Sequence, residues 1–198
     1  MRKGTTTEWM AGALAVGLAI VWVTRLLGYP LNDALRTTAR WSFVLFWLAS
    51  CGGALATLFG ARFQALAQRG RDFGLSFASA HVAHLGLVAG VLYVAGSTFS
   101  RNLLIFLGGG VFWTYFLAIL SIRRLAARLD PRSVRILRAV GVEYLSLVFL
   151  FDFTLPKFQV DIPYLVEYVP FILLTIAGPL LRIAAAVKRL SQARALAA

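Results

Sequence analysis

The chain has 198 residues, 60% of them hydrophobic and 14% charged, with a mean hydropathy of +0.78. That apolar share exceeds what the core of a soluble domain uses, so the composition points to an integral membrane protein. The 20 Lys and Arg against 8 Asp and Glu would suit a nucleic-acid binder, but in a polytopic membrane protein such an excess belongs to cytoplasmic loops. No nucleic-acid partner is expected. Cys51 is the single cysteine, which excludes an intrachain disulfide.

Apolar runs near the ~20 residues that cross a bilayer lie at Trp9–Leu27, Trp41–Phe59, Gly74–Gly96, Asn102–Ile122, Ile136–Leu155 and Tyr164–Val187. The expected fold class is all-α, a six-transmembrane-helix bundle made by a single domain over residues 1–198. Met1, Arg2 and Lys3 ahead of the first run mimic a signal peptide. The apolar run continues well past Ala13-Leu14-Ala15, so an uncleaved first span is expected. Gly28-Tyr29-Pro30 ends the first helix, and Asp130-Pro131 opens the fifth with an acidic N-cap and a proline at the first helical position.

The N-terminus, the loop holding Arg62, Arg69 and Arg71, the loop from Arg123 to Arg138, and the tail from Arg182 to Arg194 carry 15 of the 20 basic residues. Positive loops stay inside, so both termini are expected in the cytoplasm of a multi-pass cell-membrane protein. The third and fifth helices then run the same way. Arg132, Arg135 and Arg138 recur at i+3 spacing and read as a lipid-headgroup stripe.

The only two histidines, His81 and His84, fall inside the third apolar run at i and i+3 and share one helix face. A titratable side chain at membrane depth marks a functional site or a polar contact across helices. A metal site on His84 would need a third ligand from Cys51, Glu143 or Asp152. Glu143 and Arg182 lie at similar depth from the cytoplasmic side and are expected to form a structural ion pair. Asp152, with Lys157 and Asp161, reads as part of the outer interface. Pro170 and Pro179 suggest kinks in the sixth helix.

Thr38-Ala39-Arg40, the run Gly70-Arg71-Asp72-Phe73-Gly74-Leu75, His84 ten residues after Gly74, Ser121 and the basic loop before the fifth helix together resemble the ferric reductase-like transmembrane domain family. Within it the similarity is greatest to the haem b membrane subunits of periplasmic methionine sulfoxide reductase systems, and it covers a core of about residues 38–187. The resemblance implies a six-helix bundle that holds haem b between helices and passes electrons across the membrane. The family's third-helix haem ligand falls on His84, and His81 has no counterpart. In the fifth helix the family's two histidines are replaced by Leu137 and Leu150. Two histidines on one helix face cannot grip both sides of one haem, so a bis-histidine site cannot be built from this chain alone. The remaining options are five-coordinate haem on His84, or a second ligand such as Tyr144 or a partner's side chain. No flavin or nicotinamide module follows the sixth run, so electrons would come from quinone or a protein partner. The alternative is a haem-free scaffold or partner-binding subunit on the same bundle. By helical rise His84 lies ~15 Å past Gly74 and Leu150 ~21 Å past Ile136, which makes Leu150 the nearer match in depth.

Overall fold

The computed structural model describes residues 5–96, 100–122, 127–154 and 162–197. Every element among them is helical: α1 (Thr6–Leu26), α2 (Leu31–Phe59), a 3-10 turn (Gly60–Phe63), the short α3 (Gln64–Gln68), α4 (Gly70–Ala95), α5 (Arg101–Leu120), α6 (Pro131–Thr154) and α7 (Ile162–Ala197). Met1 to Lys3, Arg123, Lys157 and Asp161 lie outside the described residues.

Five stretches, in α1, α2 with α3, α4, α5 and α7, are long and apolar enough to cross a membrane. The molecule is a helical membrane bundle. α6 has a comparable length of 24 residues, but Arg132, Arg135, Arg138, Glu143 and Asp152 lower its apolar character.

Local chemistry sets the helix ends. Thr5 and Glu8 form a capping box at α1, with the Glu8 amide donating to Thr5 Oγ1 and the Thr5 amide to Glu8 Oε2. At α6 the Ser133 amide donates to Asp130 Oδ2 at 2.9 Å. Gly60, at φ 79°, turns the chain out of α2 in a conformation that other residues reach only with strain.

α2 begins ten residues before the apolar run at Trp41, at Leu31. Its first turns are amphipathic rather than apolar: Ala34, Thr38, Ala39 and Ser42 are buried, while Asp33 and Arg36 pair at 3.6 Å on the accessible side. A hydropathy reading misses such a segment because its polar and apolar residues average out.

α2 is the central helix and packs against α1, α4 and α7. Phe43 sits edge-on to Phe149 and Phe153, with ring centroids 5.1 Å away in both cases, and Phe46 joins Phe77 and Phe149 at 5.4 Å. Each such pair adds about 0.5–1.5 kcal/mol beyond its buried area. Polar side chains tie helices where the lipid offers them nothing. Trp41 Nε1 donates to the Ala13 carbonyl at 3.0 Å, and Ser79 Oγ to the Met10 carbonyl at 2.9 Å. α7 runs unbroken through Pro170 and Pro179. Trp47 Nε1 donates to the Leu174 carbonyl at 2.9 Å, beside the Thr175 carbonyl that Pro179 cannot serve.

Basic side chains close the helix C-termini at one end of the bundle. Arg71 Nε donates to the Ser121 carbonyl and Arg138 Nη2 to the Leu120 carbonyl, both at 2.9 Å, and Lys188 Nζ reaches the Thr57 carbonyl at 2.9 Å. Cations are favoured there by the negative end of the helix dipole. These basic side chains therefore have a structural task of their own.

α5 and α6 approach closely through glycine. A Cβ on Gly109 would lie 2.2 Å from Tyr144 Oη, and one on Gly141 would lie 2.6 Å from the Trp113 ring. Gly109→Ala should therefore lower thermal stability in detergent by about 1–3 kcal/mol. Gly108→Ala, whose Cβ meets nothing within 4 Å, should leave the melt unchanged. Equal melting of the two variants would contradict the contact.

Candidate functional site: a cavity walled by His81 and His84

α4 presents both histidines to one cavity of about 590 Å³, lined by α2, α4, α5 and α6 with Tyr168 of α7. Its size is that of a small-molecule or cofactor pocket, ~300–1,000 Å³. The imidazole rings lie 5.3 Å apart at 30°, and His81 also packs on Phe77 at 5.5 Å. His81 Nδ1 is buried with no hydrogen-bond partner among the described residues.

The contact of His84 bears on its tautomer. Its Nδ1 is 3.1 Å from Thr38 Oγ1, whose hydroxyl hydrogen is committed to the Ala34 carbonyl at 2.8 Å and the Leu35 carbonyl at 3.0 Å. With the hydroxyl hydrogen directed at either carbonyl, the imidazole supplies the proton of the Thr38–His84 contact, which puts the hydrogen on Nδ1 and leaves a lone pair on Nε2, the tautomer that a neutral histidine needs to ligate iron.

The opposite wall belongs to α6. Leu145, Val148, Phe149, Phe151 and Asp152 line the cavity, whereas Leu137 and Leu150 do not. The register between α4 and α6 follows from two levels. Arg71 and Arg138 hold adjacent carbonyls of α5, and Phe77, Thr114 and Leu145 are shared between this cavity and a second one nearer the basic end. Counting seven residues from Phe77 reaches His84, and seven from Leu145 reaches Asp152, ~10 Å along each helix. Asp152, close to the Thr154 end of α6, and His84 therefore stand at the same count on two walls of the cavity, and Leu150 is not on that wall.

The other expected ligands are engaged elsewhere. Tyr144 Oη donates to the Phe106 carbonyl at 2.9 Å and does not line the cavity. Cys51 and Glu143 belong to a separate cluster on Arg182. Arg182 Nε donates to Glu143 Oε1 at 2.8 Å, and Nη2 to Glu143 Oε2 at 2.7 Å and Ser146 Oγ at 2.9 Å. Nη1 lies 3.8 Å from Cys51 Sγ. A Cβ on Gly178 would come within 3.3 Å of the guanidinium, so glycine leaves it room. Among the described residues no group of three or more His, Cys, Asp or Glu side chains comes together, so no third ligand completes a metal site on His84.

The residues present fit a haem from one side. An apolar cavity of suitable volume, a histidine able to take the ligating tautomer and a hydroxyl in contact with its Nδ1 are in place. A second imidazole is not, so a bis-histidine site does not fit. Comparison with protein families, curated proteins and solved structures gives no significant match.

Sequence reasoning missed Thr38 as the partner of His84 and Asp152 as the facing group. Thr38 was visible only as part of a motif; its role depends on α2 starting early enough to bring it beside α4.

Proposed function

We propose that the chain is a six-span membrane protein of the ferric reductase-like class, with both termini cytoplasmic, which holds one haem b through His84. The observation that carries this reading is the Thr38–His84 contact at 3.1 Å on the wall of a 590 Å³ apolar cavity. α6 supplies the sixth span: two of its five charges are held in protein contacts, Glu143 by Arg182 and Arg138 by the Leu120 carbonyl, and Arg132 lies exposed in its first turn.

Haem bound here would supply one-electron chemistry within the bundle. Thr38 would orient the imidazole, His84 would hold the haem iron, and Phe77, Val148 and Phe149 would exclude water. The donor and acceptor are a membrane quinone or a partner subunit. The second reading, a haem-free scaffold, draws on Leu137 and Leu150 standing where the resemblance places histidines.

Haemin titration of the detergent-purified protein tests the proposal. His84→Ala should remove the Soret band, whereas His81→Ala should keep it. Thr38→Val, which keeps the shape but removes the orienting acceptor, should weaken binding about 10–100-fold. Binding that survives His84→Ala unchanged would exclude the proposed ligand.

A further inference from the structure

The second cavity, about 410 Å³, opens between α2, α4, α5 and α6 at the basic end. Its body is apolar, built by Phe46, Leu117, Ala118 and Val142, and its rim carries Arg71 and Arg138 with no acidic residue in the lining. Both guanidiniums are held at the C-terminal end of α5, by the adjacent carbonyls of Ser121 and Leu120. Each commits one N–H of about five. Among the described residues no further acceptor engages either of them.

We propose that this cavity binds an anionic phospholipid, its phosphate between Arg71 and Arg138 and an acyl chain in the apolar body. Phosphate matches the guanidinium fork and forms charge-assisted hydrogen bonds with it. The carbonyl end of α5 offsets only about half a unit charge of the two cations, so the rim stays positive. A small anion would satisfy the rim and leave the apolar body without an occupant. A zwitterionic lipid would bring its own cation against the arginines. Basic pockets between helices at the headgroup level select anionic lipid for these reasons. The site is independent of haem and of the histidine cavity's function.

Native mass spectrometry of the full chain, delipidated and then offered phosphatidylglycerol or phosphatidylcholine, reads the proposal. Phosphatidylglycerol should be retained, and phosphatidylcholine should not. Arg71→Gln with Arg138→Gln should reduce retention about tenfold, the loss of charge-assisted bonds. Since those arginines also cap α5, Ala118→Phe provides a second variant that fills the cavity with both arginines intact, and it should lose the lipid as well. Arg132→Gln with Arg135→Gln, exposed and outside the cavity, should retain it. Equal retention of both lipids, retention in Ala118→Phe, or equal thermal protection by inorganic phosphate alone would each overturn the assignment.

Discussion

Glu143→Gln should lower the unfolding free energy of the protein in detergent by about 1–2 kcal/mol. The substitution keeps the shape and removes the charge, leaving the Arg182 guanidinium with one neutral amide oxygen and an opposed NH2 group in place of the carboxylate, beside Ser146 Oγ and the Cys51 thiol. The pair is bidentate, at 2.8 and 2.7 Å, and joins α6 to α7 across 39 residues of sequence. Arg182 is the better enclosed partner, with 17% of its side chain accessible against 52% for Glu143. Stranding the arginine is therefore the larger penalty. Replacing both residues by leucine should recover most of the loss, because a pair with no partner to strand carries no desolvation cost. Thermal or denaturant melts of the two single variants and the double variant give the coupling directly. Additive losses would mean that the two side chains stabilise the bundle independently.

Asp152→His should convert one-sided haem ligation into a low-spin bis-histidine site. Asp152 lines the cavity opposite His84 and stands at the same count from the shared Phe77–Leu145 level, so an imidazole there approaches from the free side. Adding His84→Ala should abolish the low-spin spectrum. Leu150→His should have a smaller effect, since Leu150 is not on the cavity wall. The reduced-minus-oxidised spectra of the three variants check this. A low-spin site in Leu150→His alone would overturn the register derived for α4 and α6.

Much of the bundle was legible from apolar runs, because a helix that faces lipid must be apolar along its length and the runs mark where those helices lie. The ends were less legible. α2 starts at Leu31 and α7 continues to Ala197, beyond the expected Val187, because amphipathic turns outside the apolar stretch average to modest hydropathy. At the site, the i, i+3 spacing was enough to put His81 and His84 on one face, since helical geometry is local. What faces them was not legible. Which α6 residue lies across from His84 depends on how far α6 slides along α5, and that is set by Tyr144 over Gly109 and Trp113 over Gly141. Arg138 was read as part of a surface stripe for the same reason. Its partner is the Leu120 backbone carbonyl of another helix, and no spacing within α6 reports it.

The most direct measurement is the electron paramagnetic resonance spectrum of the ferric, haem-loaded wild-type protein. Ligation by His84 alone predicts an axial high-spin signal that disappears in His84→Ala. A rhombic low-spin signal in the wild type would contradict one-sided ligation, and a protein that takes up no haem under conditions where the fold melts cooperatively would contradict the haem reading itself.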